Sequence, residues 1–422
     1  MRKRSVAFWA VALLVALALA PASAQSEKVK LVFAGRYTPD TPGGQAWLQA
    51  IETYQELNPH IEIEYISEGY HDAYLEKLII LGASVGFPDV MNLYNLHLYD
   101  FVEQGVLDPI PADMLERIRT NLYDASLEGA EYKGVYYGVP VELQVAVLAY
   151  NKQLLAEAGV DGTPRTWDEM SVLAPKLRAA RPDFMGLSSQ GGGWGWAANW
   201  FTLAAAYGAS YAGRGGDVTL NTPENVALLE LIVDWFGPEG WADLNRWGFA
   251  AGQGYFGLAF PFWTTFFTQL QGEDFTDVIG VTSLPAGPAG IGSYQYGWSL
   301  TVPASSKNKE EAWRFVEWLA TQAGENGMTA VGTVQAALGS VPTFRGDLNG
   351  PAFADRSEYF STFIANLAYA VTDEKLPVAE QRQNVLAQEI EAAIARNKTP
   401  MQAMADAQTK VDALLAEFAA DN

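Results

Sequence analysis

Tryptophan residues stand at several places where a protein core does not obviously require them. Six of the 13 tryptophans follow glycines, prolines or predicted strand ends: Trp194, Trp196, Trp200, Trp247, Trp263 and Trp298. The segment Gln190–Asn199 contains four glycines around Trp194 and Trp196, and we predict a loop whose backbone approaches a ligand closely. Flat aromatic rings stack on apolar ligand faces, so these residues indicate non-covalent binding, with core packing as the alternative for each.

Planar hydrogen-bonding side chains accompany these rings. Glu142 and Gln144 lie two apart in a predicted strand and therefore share one face of an otherwise apolar segment. The other candidates lie at strand ends and in turns: Arg36, Tyr37, Tyr70, Tyr94, Asn95, Asn199, Tyr296, Gly297 and Arg345. Amides, carboxylates and arginine can fix the hydroxyl groups of a ligand. Solvated loop residues are the alternative interpretation.

The sequence does not indicate a catalytic centre. It lacks a Gly-x-Ser-x-Gly motif and a phosphate-binding loop, and its three histidines, His60, His71 and His97, are not spaced as a metal pair. Two carboxylates roughly 5 to 10 Å apart could hydrolyse a glycosidic bond. Acidic pairs are common among 49 acidic residues, however, so their presence discriminates nothing. We expect no catalytic residue, no metal and no cofactor.

The elements that position these residues begin as alternating strands and helices. Leu31–Ala34, Ile61–Tyr65 and Val90–Leu93 are predicted strands, separated by two amphipathic helices. This alternation is typical of an α/β fold with a mostly parallel sheet, in which ligands bind beyond the carboxyl ends of the strands.

A second α/β region begins near Val145–Asn151. Thr166 and Thr222 are predicted helix N-caps. The segment Ser283–Gly297, rich in Gly, Pro and Ser, is predicted to be an irregular connection before a strand at Trp298–Val302. From Val378 onward we predict two long helices.

The first 24 residues have the pattern of an export signal. Arg2, Lys3 and Arg4 precede an apolar run and then Ala22-Ser23-Ala24, so we predict cleavage after Ala24. Cleavage would change the net charge from −22 to −25, because the segment carries three basic and no acidic residues. Nucleic acids and anionic membrane surfaces are therefore poor partners. The chain has no cysteine, which excludes disulfides and a lipoprotein anchor and favours a freely diffusing periplasmic protein.

A series of local motifs resembles the family 1 extracellular solute-binding proteins, the maltose-binding-protein-like receptors of bacterial ABC importers. The motifs, in order, are Gly86-Phe-Pro-Asp-Val90, Gly138-Val-Pro140, Leu148-Ala-Tyr-Asn-Lys152, Pro164-Arg-Thr-Trp-Asp-Glu169, Pro285-Ala-Gly-Pro288 and Gly339-Ser-Val-Pro-Thr343. Each motif is weak alone. Their order over most of the chain makes the resemblance specific.

The resemblance implies a type II periplasmic-binding-protein fold, with two α/β lobes joined by hinge strands around a ligand cleft. One lobe would comprise residues 25–144 and 291–337, and the other residues 145–290 and 338–422. One crossing segment would lie within Val139–Asn151.

The resemblance also implies a monomeric, periplasmic receptor that delivers a neutral sugar to the permease subunits of an ABC importer. Trp263 and Trp298 match positions that face the cleft in the family. Glutamine at position 144 departs from the acidic residue of maltose-type members. A receptor of the same fold for a glycerophosphoryl ester, a polyamine or a quaternary ammonium compound is the alternative, and a secreted carbohydrate-active enzyme is a third possibility.

Overall fold

The computed structural model describes residues 28–67, 69, 72–212 and 217–421. The predicted signal segment 1–24 and the candidate Tyr70 lie outside these residues. Within them, no helix is long and apolar enough to cross a membrane.

The chain folds into helices and strands that alternate over much of its length. The first third contains β1 (Val29–Ala34), α1 (Pro42–Leu57), β2 (Ile61–Ile66), α2 (Asp72–Ser84), β3 (Val90–Tyr94), α3 (Asn95–Glu103), β4 (Leu107–Asp108), α4 (Ala112–Arg119), α5 (Asp124–Glu128), β5 (Glu131–Tyr132), β6 (Val135–Tyr136) and β7 (Val139–Val145). The middle contains β8 (Val147–Asn151), α6 (Lys152–Glu157), α7 (Trp167–Ala180), β9 (Met185–Ser188), α8 (Gly193–Tyr207), α9 (Pro223–Phe236), β10 (Ala242–Asp243), α10 (Arg246–Ala250), β11 (Gly254–Ala259), α11 (Trp263–Gln271) and β12 (Ile279–Thr282). The last third contains β13 (Ser293–Pro303), α12 (Lys309–Thr321), α13 (Ala330–Ala337), α14 (Pro351–Ala354), α15 (Ser357–Asn366), β14 (Ala370–Val371), α16 (Ala379–Ile394) and α17 (Pro400–Asp421).

The strands form two large sheets. The first has the order β14-β13-β3-β1-β2, and β4 and β7 also pair with β13. β1 is parallel to β2 and β3, whereas β13 is antiparallel to β3 and β7. The second sheet has the order β10-β9-β11-β8-β12. We call the first sheet without β14, together with its covering helices, the first lobe, and the second sheet with its covering helices the second lobe. The short β14 pairs with β13 at the edge of the first sheet and lies on the segment that leads into α16.

The chain passes from the first sheet to the second at Ala146, between the end of β7 and the start of β8. The Ala146 N–H donates to the Tyr294 carbonyl at 2.9 Å, and the Ser293 hydroxyl donates to the Ala146 carbonyl at 2.7 Å. The start of β13 therefore holds this crossing in place.

Three hydrophobic clusters fill the lobes. Two of them lie against the first sheet. The largest covers the second sheet, includes residues of α8, α9, α16 and α17, and continues to Tyr94, Tyr296 and Trp298 of the first sheet. The two long tail helices predicted from Val378 onward are confirmed as α16 and α17, and they pack on α8 and α9 of the second lobe.

Two local predictions were wrong. β13 begins at Ser293, so the second part of the predicted irregular connection Ser283–Gly297 is strand, because β7 and β14 pair with it. The predicted loop around Trp194 is the first turn of α8. Gly192, with φ of +79°, ends the turn that precedes this helix.

Candidate functional site

A buried ion pair lies where the two sheets approach each other. Arg36 follows β1 and Glu142 lies on β7, and their side chains contact each other at 2.5 Å. Arg36 is 3 % exposed and Glu142 is 5 % exposed. The Tyr37 hydroxyl also donates to the Glu142 carboxylate at 3.0 Å. The pair is therefore electrically neutral as a unit and leaves no uncompensated charge at the site.

The indole ring of Trp298 lies beside this pair. The guanidinium carbon of Arg36 is 3.7 Å from the centre of the Trp298 ring. Tyr94, at the end of β3, stacks on the same indole with ring centres 4.8 Å apart and planes inclined by 24°. Pairing of Trp298 with Tyr94 in the β13–β3 ladder places the two rings together.

The second lobe adds aromatic side chains to this group. Trp194, in the first turn of α8, meets the Tyr296 ring edge-on at 4.9 Å, and its Nε1 donates to the Tyr94 hydroxyl at 3.3 Å. Phe260, directly after β11, also contacts Tyr296, with ring centres 5.2 Å apart. We call Arg36, Tyr37, Tyr94, Glu142, Trp194, Phe260, Tyr296 and Trp298 the interlobe cluster.

The lobes are in close contact at the interlobe cluster. Trp194 and Phe260 of the second lobe lie directly against Tyr94 and Tyr296 of the first lobe. Within the first lobe, the cavity beside Trp298 measures about 10 Å³, which is the space of one water molecule. A sugar-sized ligand therefore reaches these rings only if the lobes separate.

The Gln144 side chain forms hydrogen bonds to residues of three segments and is not available to a ligand in this conformation. Its Nε2 donates to the Ser340 hydroxyl at 2.6 Å and to the Glu142 carboxylate at 3.1 Å, and its Oε1 accepts from the Phe262 N–H at 3.1 Å. Because these bonds use both amide protons and an oxygen lone pair, the glutamine acts as a junction of β7 with both neighbouring segments.

Asn95, the first residue of α3, and Gly297 of β13 have structural roles next to β13. The Ser299 hydroxyl donates to Asn95 Oδ1 at 2.7 Å. A Cβ at position 297 would lie 2.2 Å from the Glu142 carbonyl oxygen, so only glycine permits the close approach of β13 to β7. Both residues border another cavity of about 10 Å³, which Gln295 and Asp373 also line.

The remaining predicted site residues are not brought to the interlobe cluster. Trp196 packs edge-on against Phe236 at 5.3 Å, and Asn199 bonds to Ser189 and to the Gln190 carbonyl. Trp194 and Trp196 point in nearly opposite directions, because side chains two positions apart on a helix are separated by about 200° around its axis. A helix prediction for this segment would have separated them.

Trp263 is fully buried in the second lobe. It contacts Phe249 and Phe267, with ring centres 6.1 and 6.3 Å away, and is 0 % exposed. Arg345 is exposed and lies over the Tyr123 ring at 4.6 Å. Sequence reasoning missed Phe260 as a site residue, although its place between β11 and Pro261 was a usable signal.

The site offers binding groups rather than metal ligands. Among the residues that the structure describes, no group of three or more His, Asp or Glu side chains is arranged to hold a metal ion. The cluster combines flat rings, hydroxyl groups and a neutralised ion pair, which together suit a ligand with apolar faces and hydroxyl groups.

Comparison of the sequence with known proteins identifies a family. The model of the bacterial extracellular solute-binding proteins matches residues 38–326. A putative binding protein of Brucella abortus (strain 2308) is 26 % identical over 322 residues, which cover 74 % of this chain and 77 % of that protein. A maltotriose-binding protein of Pyrococcus abyssi is 24 % identical over 320 residues, covering 73 % and 65 % of the two chains.

Solved structures confirm the predicted two-lobed fold. The maltose-bound MalE3 of T. maritima superposes with a TM-score of 0.77 at 20 % identity, covering 92 % of this chain and all of that one. The sugar-binding protein MalE of Xanthomonas citri gives 0.78 at 21 % identity, covering 92 % and 98 %. Together with the family match over most of its length, these observations show that the chain belongs to the bacterial extracellular solute-binding protein family.

Proposed function

We propose that this protein captures a neutral saccharide in the periplasm and delivers it to the permease subunits of an ABC importer. The observation that carries the proposal is the interlobe cluster, in which Trp298 lies against Arg36 of the ion pair, Tyr296 contacts Trp298, and Trp194 of the second lobe contacts Tyr296. Aromatic rings can stack on the C–H faces of sugar rings, and charged planar groups can bind paired hydroxyls. The names of relatives support this ligand class, because they include binding proteins for maltotriose and arabinooligosaccharides.

The ion pair argues against the charged alternatives. Arg36 is already neutralised by Glu142, so a glycerophosphoryl ester finds no uncompensated arginine in the cluster. The Arg36 guanidinium also lies over the Trp298 ring, where a quaternary ammonium group or a polyamine would have to bind by cation–π contact. A neutral ligand requires neither the release of Arg36 from Glu142 nor the displacement of Arg36 from the Trp298 ring.

We further propose that the protein binds without catalysis. Hydrolysis of a glycosidic bond requires two carboxyl groups with different protonation states, and Glu142 is the only acidic residue among the eight of the interlobe cluster. That carboxylate is held by Arg36 and Tyr37.

We propose cleavage of the export signal after Ala24, a monomer, and lobes that comprise residues 25–144 with 291–337 and residues 145–290 with 338–422. Mass spectrometry of periplasmic protein would give the mature N-terminus and the oligomeric state.

A titration of tryptophan fluorescence tests the ligand class. The mature protein is titrated with mono-, di- and trisaccharides, a polyamine, a quaternary ammonium compound and a glycerophosphoryl ester. We expect a saturable change with at least one neutral saccharide. Saturation by a charged compound alone would overturn the proposal, and release of reducing ends from oligosaccharides would refute binding without catalysis.

A further inference from the structure

Helix α16 belongs to the second lobe, but its N-terminus touches the first lobe. The helix packs along α8 and α9, and its first residues contact α3, which follows β3 of the first sheet. The N-terminal N–H groups of a helix need hydrogen-bond acceptors that the helix itself does not supply.

The residue at the N-cap position of α16 cannot supply one. This residue is Val378, which has an apolar side chain, and no side-chain cap is formed by it. The acceptor comes instead from α3 of the other lobe. The Val378 N–H donates to Asp100 Oδ1 at 2.6 Å.

The backbone at Val378 is strained. Its φ and ψ are +50° and +40°, in the left-handed region that β-branched residues rarely adopt. Strain of this kind persists only where surrounding contacts over-determine it.

A side chain of α16 fixes the backbone of the turn that precedes the helix. Arg382, on the second turn of α16, donates through Nε to the Pro377 carbonyl at 2.8 Å and through a terminal nitrogen to the Leu376 carbonyl at 2.7 Å. This arginine is 2 % exposed. It holds the turn before α16 in a shape that presents the Val378 N–H to Asp100 of α3.

Two further polar contacts lie at the same place. Lys375 forms an ion pair with Glu131 of the first lobe, and the His97 imidazole of α3 lies 3.9 Å from the Glu380 carboxylate. The contact is therefore a compact polar patch beside the interlobe cluster.

We propose that Asp100 caps α16 from the opposite lobe and acts as a latch that holds the lobes closed, also without ligand. Separation of the lobes removes the only side-chain acceptor that the described residues offer to the Val378 N–H, so opening costs the α16 cap. The latch lowers the open fraction, which is the state that a ligand can enter, and the apparent dissociation constant scales inversely with the open fraction, so the latch weakens ligand binding. This consequence for affinity rests on the proposed function, whereas the latch itself does not.

Measurement of the distance between the lobes tests the latch. The chain has no cysteine. Ser84→Cys and Val172→Cys therefore place one exposed thiol on each lobe, to which a spin label is attached. Distance distributions are recorded without ligand for the parent, Asp100→Ala and Asp100→Asn. Asp113→Ala, which removes an exposed carboxylate from α4 of the same lobe, is the matched control.

We expect Asp100→Ala to shift the distribution to longer distances, Asp100→Asn to lie between it and the parent, and Asp113→Ala to match the parent. The closed-to-open ratio should fall about 2- to 30-fold in Asp100→Ala, as expected for loss of a helix cap. Identical distributions in the parent and Asp100→Ala would overturn the proposal. If no saccharide binds, the proposed function fails, but the distances still decide about the latch.

Discussion

The guanidinium of Arg36 lies 3.7 Å above the indole ring of Trp298 and at the same time contacts the Glu142 carboxylate at 2.5 Å. Arg36 thus connects the only carboxylate of the interlobe cluster to one of its aromatic surfaces. The charge of Glu142 is compensated within the first lobe, because all three residues belong to strands of the first sheet or follow one directly.

The buried pair predicts non-additive effects on stability. We expect Glu142→Ala to lower the free energy of unfolding by about 3–5 kcal/mol, because it leaves the Arg36 cation buried without its counter-charge. The double variant Arg36→Met with Glu142→Ala should lose much less than the sum of the losses in Arg36→Met alone and Glu142→Ala alone. Urea unfolding of the four proteins measures this, and additive losses would contradict the coupling.

The tryptophans predict a separation of binding from stability. Trp298→Ala should weaken saccharide binding by about 2–4 kcal/mol, since the ring belongs to the interlobe cluster. The sequence resemblance predicts the same for Trp263, but its full burial between Phe249 and Phe267 predicts instead a loss of about 3–5 kcal/mol in stability with binding retained.

Trp313 is the control for a residue of the core. It lies in the first lobe at 4 % exposure, and its Nε1 donates to Asp108 at 3.2 Å. Thermal unfolding and fluorescence titration are measured for all three variants. If Trp263→Ala keeps its melting temperature but loses affinity, Trp263 is a ligand-binding residue and not a core residue.

Gln144 predicts an effect of charge at the junction. Gln144→Glu keeps an acceptor for the Phe262 N–H but loses the donors to Ser340 and Glu142, and it places a second carboxylate beside Glu142. We expect a loss of about 1–3 kcal/mol in stability at neutral pH. The loss should shrink in acid, where one of the two carboxyl groups is protonated. Thermal melts across pH check this, and a pH-independent loss would argue against carboxylate repulsion.

Asp373 predicts a dependence of stability on pH. Burial raises the pKa of Asp373 from 3.8 to about 6, although Tyr294 and Gln383 both donate to its carboxylate. Between these two pH values the folded protein binds more protons at this group than the unfolded chain. Its contribution to stability is therefore complete below about pH 4 and is lost as the pH rises through about 6, with a magnitude of about 3 kcal/mol.

Asp373→Asn should remove this contribution to the pH dependence, because an amide has no titrating proton but keeps an acceptor for Tyr294 and Gln383. The exposed Asp277→Asn is the control. Urea unfolding at several pH values between 4 and 7 measures the slopes. Equal slopes in the parent and Asp373→Asn would show that another group is responsible.

The predictions that succeeded from sequence rest on local patterns. Thr166 and Thr222 cap α7 and α9 as predicted, accepting from the N–H groups of Glu169 and Asn225 at 3.1 and 3.3 Å. The alternating strands and helices at the start of the first lobe are likewise readable, because periods of 2 and 3.6 residues reveal which face is buried.

The sequence predicted only part of the site, because the site residues come together through contacts between distant positions of the chain. Arg36 and Glu142 are separated by 106 positions, and no local pattern shows that they form an ion pair. The ordered motifs determined the family, and the residue types determined the binding chemistry of the candidates. The tertiary structure decided which rings reach the cluster: the helical phase of α8 turns Trp194 inward and Trp196 away, and the β13–β3 ladder sets Trp298 on Tyr94. Side-chain direction depends on the element and its partners, and these are properties of the folded chain rather than of any short segment.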